Sequence, residues 1–242
     1  MRRGARLVAI GFAAVAAVPA LLVVAGPPAE AADAADCVAG EYFDGTDTCV
    51  PAEVGFYTDG PGAEEPTAIP LGSQGTGGAE DGTGSTGIEP CAEGTYRGDA
   101  DTTSCVDAEA GSVVGTTGAS APTPCEAGTF QAEVGQTACD PAPEGSFVAG
   151  AGATAATLCA AGTFSAATGA SACTPAAVGS YVSGTGATTQ TAIPLGSEGT
   201  GGASDGTGST GTDECEAGSY RGDADTTSCV DAAPGSFVAA AE

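Results

Sequence analysis

Ten cysteines fall into five regular pairs: Cys37/Cys49, Cys91/Cys105, Cys125/Cys139, Cys159/Cys173 and Cys215/Cys229. Four pairs have a spacing of 14 and the first a spacing of 12, whereas the intervals between pairs are 42, 20, 20 and 42. A spacing held inside pairs and released between them is the mark of local cross-links that close small loops. A rival set, Cys105–Cys125 and Cys139–Cys159, is permitted by the two shorter intervals. It also requires Cys49–Cys91 and Cys173–Cys215, and it strands Cys37 and Cys229. An even number of cysteines, all beyond an apolar N-terminus, places the chain in an oxidising extracellular space.

Repeats give the organisation. Cys91, Cys125 and Cys159 step by 34, and each such unit divides into halves of 17 marked by Gly94, Gly111, Gly128, Gly145, Gly162 and Gly179. Two positions after each glycine stand Tyr96, Val113, Phe130, Phe147, Phe164 and Tyr181. Alternate halves lack both cysteines together, with Ala142 and Ala156 standing where a pair would be. Joint loss fits two positions that are partners, because a lone thiol is a liability in an oxidising space. A period of 124 overlies this, repeating Thr67-Ala-Ile-Pro-Leu-Gly72 as Thr191-Ala-Ile-Pro-Leu-Gly196.

The resulting division is 1–31, a signal peptide; 32–65, a first cysteine-rich repeat; 66–87, a Gly/Ser/Thr-rich insert; 88–189, three tandem repeats of period 34; 190–211, a second insert; and 212–242, a last, incomplete repeat. The inserts are expected to be mobile loops.

The signal peptide rests on a basic start at Arg2, Arg3 and Arg6, an apolar run from Leu7 to Gly26, and small residues at Ala29 and Ala31. The competing reading is an uncleaved anchor, since the run is about long enough to span a bilayer. Residues 1–31 hold three of the five basic residues and one of the 31 acids. The remainder therefore carries 30 acids against Arg97 and Arg221, a net charge of −28. Such a field repels nucleic acid and anionic membrane. An extracellular protein or matrix component is the partner class left open.

The chain has no histidine, which removes the Ser-His-Asp triad and imidazole metal ligands. With no tryptophan, five tyrosines and seven phenylalanines, it is too poor in large apolar side chains for one shared core. Forty glycines and fifteen prolines point instead to small stapled units. The expected fold is small, disulfide-rich and mostly irregular with short β-strands, arranged as an elongated tandem-repeat array behind an N-terminal signal helix. Each Gly-[Thr/Ser]-[Phe/Tyr] motif reads as a strand after a turn. The Ala-, Gly- and Thr-rich, lysine-free composition points to a high-GC bacterium or a salt-adapted organism.

Cys125-Glu-Ala-Gly-Thr-Phe130 and Cys159-Ala-Ala-Gly-Thr-Phe-Ser165 resemble the opening of the ephrin-receptor-like cysteine-rich repeat, a growth-factor/TNF-receptor-like module. Cys173-Thr-Pro-Ala176-Ala-Val-Gly179-Ser-Tyr181 resembles its join, with alanine in place of a second cysteine. The same departure recurs at Ala52, Ala108, Ala142 and Ala232. The resemblance implies a disulfide-linked extracellular repeat and leaves the ligand open.

Four constellations bear on function. Arg97-Gly98-Asp99 and Arg221-Gly222-Asp223 spell an adhesion tripeptide, against the reading of a solvated loop with a local Arg–Asp contact. Asp44, Asp47, Asp99, Asp101, Asp223 and Asp225 are candidate calcium ligands, although no stretch has the EF-hand order. Gly75-Thr-Gly-Gly78 lacks the lysine of a phosphate cradle. Paired carboxylates exist, but no core is evident to form a cavity around them. The expectation is a secreted, non-catalytic protein without cofactor, acting as a structural spacer or adhesin-like stalk. The alternative is a module binding a protein or calcium.

Overall fold

A computed structural model describes residues 33–238 except 47, 101, 223, 225 and 237. The expected signal peptide and its helix lie outside the described residues. Among the described residues, strands form eleven two-stranded antiparallel ladders, and the only regular helical turn is the 3-10 segment Ala34–Asp36. That turn carries a capping box: the Ala35 N–H donates to Asp33 Oδ1 (2.8 Å) and the Asp33 N–H to Asp36 Oδ2 (3.0 Å). The chain is a tandem array of disulfide-stapled hairpins.

Each half-repeat is one hairpin. Its outgoing strand follows a glycine at positive φ, such as Gly128 (φ 91°), a conformation open chiefly to glycine. A Cβ at Gly128 would also collide with the Gly169 carbonyl, two hairpins further on. The short strand Thr129–Phe130 then pairs with Asp140–Pro141, setting Phe130 opposite Asp140. The same register sets Phe147 opposite Thr157 and Phe164 opposite Thr174. The Ser/Thr after each glycine secures the turn, as where Thr129 Oγ1 donates to Glu126 O at 2.9 Å and Thr163 Oγ1 to Ala160 O at 2.8 Å.

Backbone hydrogen bonds tie each hairpin to the next in a fixed pattern. The motif glycine donates forward into the following hairpin, as in Gly94 N–H to Val114 O (2.8 Å), Gly128 to Val148 (2.8 Å) and Gly145 to Ser165 (2.9 Å). The glycine at each hairpin tip donates back to the preceding hairpin, as in Gly135 to Ala108 O (2.8 Å) and Gly169 to Ala142 O (2.7 Å). Because backbone groups make these bonds, side chains along the array can vary without breaking them.

The core is a file of small residues placed three before each motif glycine. Cys37, Ala52, Ile69, Cys91, Ala108, Cys125, Ala142, Cys159, Ala176 and Ile193 are each at most 3% exposed. Alanine and half-cystine thus share one structural position, which is why alanine replaces cysteine at the repeat joins. A second file, three after the glycine, buries Val114, Gln131, Val148, Ser165 and Val182. The repeat aromatics, between these files, are only half-buried. The interior therefore rests mostly on small side chains and paired backbone, with the rings only partly covered.

The two inserts are not loops. Their first residues complete the preceding hairpin, where Thr67–Ala68 pairs with Phe56–Tyr57. Ser73–Thr76 then pairs along its whole length with Gly87–Pro90, and Ser197–Thr200 with Gly211–Glu214. Gly72 and Gly196 continue the step of 17 from Gly55 and Gly179. Their φ values are 78° and 77°, so each is a further motif glycine. The hairpin that follows is lengthened, with a step of 22 from Gly72 to Gly94 and from Gly196 to Gly218. Gln74 and Glu198 hold the aromatic position, which hides the repeat from a pattern built on Phe and Tyr. The Gly-Ser step and the preceding Ile were the signals available.

Candidate functional site

Five disulfides join Cys37–Cys49, Cys91–Cys105, Cys125–Cys139, Cys159–Cys173 and Cys215–Cys229, with Cα–Cα distances of 5.4–5.7 Å. These fall within the range an unstrained bridge spans. In each of the first four the leading cysteine is buried in the central file, while its partner is half-buried on the returning side of the loop. The bridge thus anchors the loop between them to the core.

Of the six candidate calcium ligands, Asp44 and Asp99 lie among the described residues. Asp47, Asp101, Asp223 and Asp225 lie outside the described residues. Asp44 already has both oxygens engaged: Oδ2 accepts from Thr46 Oγ1 (2.7 Å) and Thr48 Oγ1 (2.8 Å), and Oδ1 from the Thr46 N–H (2.8 Å). The hydroxyl of Thr46, then that of Thr48, holds the Asp44 carboxyl below the usual carboxylate range. Asp99 is exposed, and its carbonyl accepts from Thr102 Oγ1 (3.1 Å). Among the described residues no group of three or more His, Cys, Asp or Glu side chains is arranged to hold a metal ion.

The arginines of the two Arg-Gly-Asp tripeptides are not surface groups. Arg97 is 1% exposed and Arg221 2%. Arg97 Nη1 donates to the carbonyls of Ile69 (3.0 Å), Pro70 (3.1 Å) and Ser73 (3.4 Å). Its Nε reaches Thr102 O (2.6 Å) and its Nη2 reaches Ala100 O (3.3 Å). Arg221 repeats the arrangement with Ile193, Pro194, Thr226 and Ala224. Each guanidinium therefore pins its own loop to the lengthened hairpin before it. Burial lowers the Arg97 pKa, with the nearby Asp99 carboxylate acting in the opposite direction. Both the adhesion tripeptide and the solvated-loop reading give way to a structural staple, which no local sequence signal announced.

With both arginines enclosed, every exposed charge among the described residues is a carboxylate. The repeat aromatics each stand opposite an exposed residue of the returning strand: Tyr57 with Thr67, Tyr96 with Val106, Phe130 with Asp140, Tyr181 with Thr191. A cavity of about 630 Å³ lies against the last described hairpin, bounded by Leu195, Glu214, Glu216, Tyr220 and Val238. Its wall is ordinary hairpin surface, at positions that the following hairpin covers around Cys91–Tyr96.

Residues 111–159 match the family described as tyrosine-protein kinase ephrin type A/B receptor-like. The matched span runs from the hairpin at Ser112–Val113, through the Cys125–Cys139 loop, to the buried Cys159. The chain thus carries an ephrin-receptor-like cysteine-rich repeat, of the kind that makes an extracellular module. No curated protein matches the chain.

Proposed function

We propose that this chain is a secreted, non-catalytic spacer or adhesin-like stalk that works by length and surface. The observation that carries this reading is the repeated backbone staple, Gly94 to Val114, Gly128 to Val148 and their equivalents, which joins each hairpin only to near neighbours. Arrays of that kind grow along one direction and tolerate changes of copy number. Five disulfides and the receptor-like repeat support an extracellular setting. The N-terminal basic and apolar run acts as a secretion signal removed near Ala32.

Small-angle scattering of the oxidised protein from Ala32 onward tests the reading. The radius of gyration should lie well above the ~17 Å expected for a compact chain of this length. Deleting Cys125 to Leu158 should shorten the particle while the remaining repeats stay folded. A compact radius, or collapse on deletion of that single unit, defeats the stalk.

A further inference from the structure

From Gly145 to Ser197 the chain has no Asp, Glu, Lys or Arg, although it holds 31 acids in all. The segment is three consecutive hairpins, and each sets an aromatic opposite a threonine: Phe147 with Thr157, Phe164 with Thr174, Tyr181 with Thr191. Residues directly opposite in an antiparallel pair project to the same face. The three rings are half-buried and the three threonines exposed, so the same pair recurs at the same register position of three consecutive hairpins. Gly145 N–H to Ser165 O (2.9 Å) and Gly162 N–H to Val182 O (2.7 Å) join each of these hairpins to the next, giving a row of three equivalent pairs along the chain.

We propose that this row is a docking surface for an uncharged polysaccharide. A sugar ring presents C–H faces that pack on aromatic rings, and hydroxyls that exchange hydrogen bonds with threonine. Identical contacts at successive hairpins suit a polymer of identical residues, and the backbone-bonded array presents them without ordering on binding. Charge selects the partner. Anionic polymers are repelled by the acidic flanks that begin at Glu144 and Glu198, and cationic ones are drawn to those flanks and away from the neutral row. The exposed large apolar side chains in the segment are limited to Leu158, Val178 and Leu195, too few for a protein interface. Threonine is not dictated by the fold, because Asp140 holds the equivalent position opposite Phe130. This assignment goes beyond the stalk reading, which stands whether or not sugar binds.

Depletion by microcrystalline cellulose, chitin and an insoluble β-1,3-glucan tests it on the oxidised protein from Ala32 onward. Asp140 shows that the hairpin accepts an acid at the threonine position, so the triple variant Thr157→Asp/Thr174→Asp/Thr191→Asp should stay folded. At least one polysaccharide should deplete the parent protein, equally at low salt and at about 1 M NaCl. The triple variant should weaken binding about tenfold or more, while Thr67→Asp/Thr123→Asp, outside the row, leaves it unchanged. Three results overturn the proposal: no depletion by any of the three, depletion untouched by the triple variant, or binding abolished by salt. A dimer in sedimentation equilibrium that the triple variant dissociates would assign the row to a second copy of the chain and overturn it as well.

Discussion

Arg97 Nη1 donates a 3.0 Å hydrogen bond to the carbonyl of Ile69, from one hairpin to the base of the lengthened one before it. Arg221 and Ile193 make the same bond at 2.9 Å. Both long hairpins are therefore followed by an arginine, and the two features work as a single device. The lengthened hairpin presents the carbonyls of Ile69, Pro70 and Ser73 at its base to this side chain. A planar guanidinium with five donors satisfies several of them at once.

Replacing Arg97 with Met should therefore take the guanidinium donor from the buried Ile69 carbonyl and from the part-buried carbonyls around it, and lower stability by about 3 kcal/mol. Arg97→Lys keeps the charge but only part of the donor set, so its denaturation midpoint should fall between the two. Trypsin gives a second readout, since Arg97 and Arg221 are the only basic residues after residue 31. The oxidised protein should resist cleavage, and reduction should release fragments ending at both arginines. Rapid cutting of the oxidised form, or a neutral Arg97→Met, would show that the arginines are not held as described.

Much of this architecture was legible because the glycine step is written in the sequence. A glycine at positive φ marks each hairpin, as at Gly94 and Gly111, and the Gly-[Thr/Ser] pair marks its turn. The burial pattern was less legible. Aromatics such as Phe130 and Phe164 look like core residues in the sequence. The most deeply buried side chains lie instead along Ala108, Cys125 and Ala142. Arg97 was hidden for a different reason. Its partners are backbone carbonyls, which have no residue identity to read, so a buried cation looked like a solvated one.

The shared position of alanine and cysteine carries its own test. Cys125→Ala with Cys139→Ala reproduces what Ala142 and Ala156 already do in the next half, so the variant should fold. Losing the loop constraint should lower stability by about 3 kcal/mol. Cys125→Ala alone should do worse in air, because it leaves the Cys139 thiol free to form intermolecular bridges. Failure of the double variant to fold would mean that the alternating hairpins are not equivalent.

Asp81 supplies a prediction in pH. Its Oδ1 accepts from Thr83 Oγ1 (2.7 Å) and from the Thr83 N–H (3.0 Å), and these bonds hold its carboxyl below the ordinary value of 3.8, the hydroxyl contributing most. A depressed carboxylate contributes stability above its unfolded value and loses it as pH falls through the folded one. The Asp81 turn should therefore stay closed through ordinary acid conditions and loosen only below the usual Asp range. Thr83→Val removes the hydroxyl and keeps the amide, so the Asp81 midpoint in a carbon-detected NMR titration should rise part of the way toward 3.8. An unchanged midpoint would assign the shift to something other than the Thr83 hydroxyl.

Ile69 and Gly75 share one packing space in the lengthened hairpin. In an ordinary hairpin the two buried files hold an alanine and a valine, as at Ala108 and Val114; in the lengthened one they hold isoleucine and glycine, the same side-chain carbon moved to one residue. A Cβ on Gly75 would lie 3.0 Å from Ile69 Cδ1 and 2.5 Å from Thr103 Cγ2, and would collide with Ser85 Oγ. Gly75 is not at positive φ, so the constraint is space and not backbone conformation. Gly75→Ala should therefore destabilise by about 1–3 kcal/mol through overpacking. Ile69→Ala should destabilise by about 2–5 kcal/mol through the cavity it opens. Because the new methyl points toward the space that Ile69 vacates, the double variant should lose less than the sum, with a coupling of about 1 kcal/mol. Relief will be incomplete, since Ser85 and Thr103 remain. Denaturant unfolding of the four proteins in the cycle measures this, and strictly additive losses would show that the two residues do not share the space.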